Sequence, residues 1–131
     1  MRRAFRRSGR CGTLTTMTDH PARAATAAAC IRELAEATAD PRNAYANPAE
    51  IAAVTGNLRE LARHLEDALN HLEVHIGRRA AVDWAAPAGA PPRPYAGQAR
   101  GAVQSARAEA HNLGRALGRA LEVLGPFKSA P

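Results

Sequence analysis

The chain has 131 residues and a net charge of +6, which is room for one small domain and not for two. Ala supplies 32 residues, while Leu, Ile, Val and Phe together supply 21, about 16% of the chain. That share excludes a thick core, and the scarcity of alternating β-branched residues disfavours a sheet. The large apolar residues are gathered into long periodic stretches, which points to an alanine-rich, all-α protein.

Ala, Arg, Gly and Pro make up 68 of the 131 residues. All four are encoded by GC-rich codons, so base composition alone pushes a chain in this direction. The distribution of charge is more informative than its total. Residues 1 to 16 carry +5 with no acid, residues 17 to 77 carry -4, and residues 78 to 131 carry +5. An acidic first half thus precedes a basic second half, and the two can answer each other if they pack side by side.

Residues 1 to 17 read as a disordered basic tail without helical or strand periodicity. Arg2, Arg3 and Phe5 resemble the start of a twin-arginine export signal, but no apolar run follows before Asp19, His20 and Arg23. Ala28, Ala29 and Cys30 resemble a lipoprotein cleavage site, yet they lie inside a helical pattern. Met17 heads a segment that looks like a protein start. The expectation is therefore that residues 1 to 16 come from a mis-called start codon, the alternative being a basic arm for polyanions. No uncharged run reaches the roughly 18 apolar residues of a transmembrane span. Cys11 and Cys30 form no C-x-x-C and no zinc-ligand spacing. A cytoplasmic, reducing location is the expectation.

A single helical domain is expected over residues 18 to 127. Helix 1, about 19 to 39, starts at Thr18 or Asp19 with Pro21 in its first turn. Ala27, Cys30, Ile31, Leu34 and Thr38 share one face of it, which should pack inward. Helix 2, about 48 to 77, is opened by Asn47, Pro48 and Glu50, an N-cap, an N1 proline and a reciprocal acid. From there Ile51, Val54, Leu58, Leu61, Leu65, Ala68, Leu72 and His75 keep the 3-4 spacing of a coiled coil. A Pro-rich linker at 84 to 95 separates it from helix 3, with residues 78 to 83 a candidate extension of helix 2. Helix 3, about 96 to 124, places Ala99, Val103, Ala106, Ala110, Leu113, Leu117, Ala120, Leu121 and Leu124 on one face and stops at Gly125-Pro126. The expected architecture is a long antiparallel helical hairpin of helices 2 and 3 with helix 1 as a shorter third member. Its interaction seam would comprise Ile51, Val54, Leu58, Leu61, Leu65, Leu72, Val103, Leu113, Leu117, Leu121 and Leu124. A seam so poor in bulk favours a homodimer.

Three constellations carry chemistry. Glu60, His64, Asp67, His71 and His75 fall in one band of helix 2, where His71 and His75 are weak candidates to share a metal ion. No Glu-x-x-His or H-E-x-x-H accompanies them, so acid-histidine pairs on the flank of an interface are the expected reading. Arg100, Arg107, His111, Arg115 and Arg119 line the polar face of helix 3. These arginines suit phosphate contacts, or they complement Glu60, Glu66, Asp67 and Glu73 of helix 2. No aromatic residue interleaves with them. Gly97/Gly101 and Gly114/Gly118 have G-x-x-x-G spacing, which carries little weight outside membranes. Trp84 and Tyr95 should cover the end of the hairpin. There is no G-x-S-x-G and no phosphate-binding glycine loop, so no catalytic residues and no cofactor are assigned.

The segments IRELAEATAD (31 to 40) and NPAEIAAVTGNLRELARHLEDALNHLE (47 to 73), followed by a linker and an Ala/Leu helix, resemble a group of small helical actinobacterial proteins of unknown function. That resemblance covers residues 20 to 124 and implies a helical fold without site residues. A helical hairpin with Trp84 between its long helices is also similar to the WXG100 secreted proteins, although Trp84-Ala85-Ala86 lacks their glycine. The sequence thus predicts a non-enzymatic helical interaction module whose partner is a second copy or another helical protein. The alternatives are a nucleic-acid-associated accessory protein using the helix 3 arginines and a WXG100-like secreted hairpin. No membrane and no small-molecule substrate are implied.

Overall fold

A computed structural model describes residues 19 to 79 and 86 to 127. Three helices account for most of them: α1 (His20–Ala37), α2 (Pro48–Arg79) and α3 (Tyr95–Leu124), with a 3-10 turn at Gly125–Phe127. No described residue is in a strand, so the fold is all-α. The expected tail and Trp84 lie outside the described residues.

The chain divides into two compact units, residues 1 to 46 and 47 to 131. In the first, Asp19 caps α1 by accepting the Ala22 N–H at 3.3 Å. The Thr38 hydroxyl closes its other end on the Leu34 carbonyl at 2.8 Å. Asp40 then turns the chain, accepting from the Arg42 N–H at 3.0 Å and the Asn43 side chain at 3.2 Å. The stripe expected to pack inward does not do so, for α1 has no buried residue and Ile31 remains 39% exposed. With Ile31 and Leu34 its only large apolar side chains, the helix carries too little to bury. Cys30 on this helix is disulfide-bonded.

The second unit is α2 packed against α3. Asn47 starts α2, its Oδ1 accepting the Glu50 N–H at 2.9 Å. Contacts between the helices follow one rule. Gly56 meets Leu121, Arg59 meets Gly118, Ala62 meets Gly114, and Gly77 meets Arg100. Glu66 meets His111, Asn70 meets Arg107 and Glu73 meets Gln104. Each step forward on α2 is a step back on α3, so the helices are antiparallel and hold one register along their length.

Mostly small residues fill the centre of this contact. Ala52, Ala62, Ile76, Ala96 and Ala110 are its buried apolar residues, and no large side chain is fully buried. The line of α2 that faces α3 is Ala52, Thr55, Arg59, Ala62, Glu66, Leu69, Glu73 and Ile76, one position after the Leu-rich stripe. On α3 the facing line is Ala96, Arg100, Val103, Arg107, Ala110, Gly114, Leu117 and Leu121. Helices meeting through Ala and Gly approach closely, so Leu69, Leu117 and Leu121 on these lines are only half-buried.

Candidate interaction faces

One residue of helix is about 100° of rotation, so the Leu-rich stripe of α2 is turned out of the contact. In an antiparallel pair, the residues preceding the facing positions on both helices fall on the same side. That side collects Ile51, Leu58, Leu61, Leu65 and Leu72 from α2 with Ala99, Ala106, Leu113 and Ala120 from α3. Ile51, Leu61, Leu65, Leu72 and Leu113 are between 37% and 48% exposed. Glu109, between Ala106 and Leu113 on the α3 line, and His75, near the end of the α2 line, are its polar interruptions. The predicted seam is therefore two surfaces: Val103, Leu117, Leu121 and Leu124 are half-buried towards α2, while most of the α2 leucines and Leu113 form an apolar facet beside it.

On the opposite, polar side, charged residues of the facing lines reach the residues that follow those lines, Asn70 on α2 and Gln104 and His111 on α3. Glu73 is its centre, a buried carboxylate 7% exposed. Gln104 donates to its Oε2 at 2.8 Å, Arg100 Nε lies 3.6 Å from the same oxygen, and Arg107 Nη2 lies 3.3 Å from Oε1. Arg107 also donates to Asn70 at 3.2 Å. A turn further along, His111 Nδ1 stands 3.2 Å from Glu66 Oε2. Of the acids expected to complement α3, Glu66 and Glu73 do so. Glu60 instead pairs within α2, with Arg63 at 3.2 Å and His64 at 3.8 Å, and Asp67 forms no ion pair among the described residues.

The four arginines proposed to contact nucleic acid consequently do not act as one stripe. Arg100 and Arg107 are engaged by Glu73, whereas Arg115 and Arg119 line a cleft of about 490 Å³ with Arg59, Gly118 and Glu122. Sequence reasoning missed Arg59, because it lies on the α3-facing line of α2 and not on the basic face of α3. It also undervalued one glycine pair. Gly114 and Gly118 both lie against α2, while Gly97 and Gly101 have nothing within 4 Å.

The histidine band is dispersed over the exposed surface of α2. Among the described residues no group of three or more His, Cys, Asp or Glu is placed to hold a metal ion, His71 and His75 included. No described helix is long and apolar enough to cross a membrane. Tyr95 is tied to the approach of α3: its hydroxyl donates to the Pro91 carbonyl at 2.6 Å and Arg93 lies 5.0 Å over its ring.

No family model matches this chain, and no curated protein or solved structure was found similar to it.

Proposed function

We propose that the chain is a non-enzymatic helical interaction module that self-associates by pairing the apolar facet of α2 and α3 with the same facet of a second copy. The observation that carries this reading is the facet itself, a band of leucine and alanine interrupted by Glu109 and His75 and running beside a contact made mostly of small residues. An exposed apolar band of this extent marks an interaction surface in a folded protein. Its length favours a second copy as the occupant. The facet spans helices of 32 and 30 residues, whereas α1 has 18 residues and few large apolar side chains. A second copy matches it end to end and completes a four-helix bundle.

Covering the remaining exposure of each large side chain is worth about 1 kcal/mol. Across two copies that comes to about 10 kcal/mol gross, comparable with the roughly 4–15 kcal/mol that association costs. At the low end of that cost the surplus is about 6 kcal/mol, which corresponds to self-association with a Kd of tens of micromolar. Sedimentation velocity between 1 and 100 μM tests it: the expected result is a concentration-dependent dimer, and a monomer at every concentration would overturn the proposal.

The Cys30 disulfide favours an oxidising compartment over the cytoplasm expected from the sequence. Thiol alkylation of the native protein before lysis decides between them. An alkylated Cys30 supports the cytoplasm, and an intact disulfide refutes it.

A further inference from the structure

The two ends of the α2–α3 contact use the same device. Near the linker, the Arg100 guanidinium of α3 lies across Gly77 of α2, its Cζ 3.4 Å from where a Cβ would stand. Near the other end, the Arg59 guanidinium of α2 lies across Gly118 of α3, with Nε at 3.5 Å and Cζ at 3.6 Å. Each arginine is thus laid flat on the neighbouring helix at a residue without a side chain. Their electrostatic fates differ. Arg100 has the buried Glu73 carboxylate, whereas Arg59, Arg115 and Arg119 have no carboxylate within 4.0 Å among the described residues.

These three arginines converge on the 490 Å³ cleft, whose one carboxylate is Glu122, with the carboxyl end of α3 at Gly125. Both Glu122 and the negative end of the helix oppose an anion. Three guanidiniums outnumber them. Arg59 and Arg115 also line an adjoining cleft of about 220 Å³ with Arg63, Glu66 and His111, where the one acid, Glu66, is paired with His111. Like charges brought together and left unmatched create a strong field in a concave site.

We propose that this cleft binds a compact phosphate or pyrophosphate group. Guanidinium is the side chain whose planar fork matches phosphate oxygens two at a time. The arrangement is convergent, so it suits one small anion. A nucleic-acid backbone would need contacts strung along the helix, and Arg100 and Arg107, which would supply them, are held by Glu73. The cleft lies on the side opposite the apolar facet, so binding does not depend on association of two copies.

Isothermal titration of the full chain with sodium pyrophosphate at low ionic strength is the test, with orthophosphate and a single-stranded 12-mer oligonucleotide as separate arms. Saturable binding of pyrophosphate is expected, weakened at least tenfold in Arg59→Gln and in Arg119→Gln and changed less than twofold in Arg42→Gln. Arg119 is exposed and its substitution leaves the packing intact, which keeps the comparison valid if Arg59→Gln loses helicity. Absence of saturable pyrophosphate binding would overturn the proposal, as would an equal loss in Arg42→Gln. Oligonucleotide binding that pyrophosphate does not displace would overturn it in favour of a backbone-tracking surface.

Discussion

The two sides of the α2–α3 pair were built from one register and came out opposite in chemistry. On one side Ile51, Leu61, Leu65, Leu72 and Leu113 stand partly exposed, with Glu109 and His75 the polar residues on their lines. On the other, Glu73, Glu66, Arg100, Arg107 and His111 pair across the helices. The contact between them is filled mainly by alanine and glycine. Helices that meet through small residues gain little from apolar burial, so specificity passes to the flanking sides. The polar side fixes which residue faces which, because each ion pair is satisfied in one register only. The apolar side is left over for association.

The largest effect expected from disturbing this division is on the apolar side. Leu65→Glu combined with Leu72→Glu should weaken self-association by about 3 kcal/mol or more, a hundredfold or more in Kd. Helicity should hold, since neither residue faces α3; sedimentation velocity and circular dichroism read the two quantities separately. If association survives, the facet is not the interface.

Overfilling the centre comes next. Ala62 is 0% exposed and sits opposite Gly114, so Ala62→Leu should cost about 2–3 kcal/mol through forced separation of the helices. Leu61→Ala, one residue away, should be far milder in thermal denaturation of dilute protein. A reversal of that order would show that the Leu-rich stripe, and not the alanine line, faces α3.

On the polar side, Glu73→Ala leaves Arg100 and Arg107 without their shared carboxylate. Both arginines are about half exposed and regain water, so the loss should be about 1–2 kcal/mol, below that for a fully buried pair. Urea unfolding of Glu73→Ala, Arg107→Ala and the double variant gives the coupling. Strict additivity would remove the pair from the account of register.

The smallest effect is a gain. Gly101 has nothing within 4 Å, so Gly101→Ala should raise stability by about 0.5–1 kcal/mol through helix propensity alone. A fall in melting temperature would mean that position 101 faces a neighbour after all.

The helical class was legible in the sequence because periodicity and local capping are local properties. Asn47, Pro48 and Glu50 announce the start of α2 with groups three residues apart, and the same groups form the cap. The register was hidden for a physical reason. On α2 the leucine stripe is more apolar than the line that faces α3, which contains Arg59, Glu66 and Glu73. A reading based on hydrophobicity therefore favours the neighbouring stripe by one residue. Arg59 was missed with it, since charged residues on a contact line become intelligible once their partners on the other helix are known. Pairing of Glu73 with α3 was within reach from the opposite charges of the two halves. The separation of Arg115 and Arg119 from Arg100 and Arg107 was not, because it depends on which acids of α2 fall at the contact.

The constant pairing rule between α2 and α3 also limits how the gene can change length. Removing one residue between Glu66 and Glu73 would move every partner beyond that point onto the wrong helix face, so Glu73 would lose its arginines while Glu66 kept His111. Deletions should be tolerated in matched sets of seven, one from each helix at facing positions. Changes confined to the Pro-rich connection leave the rule untouched.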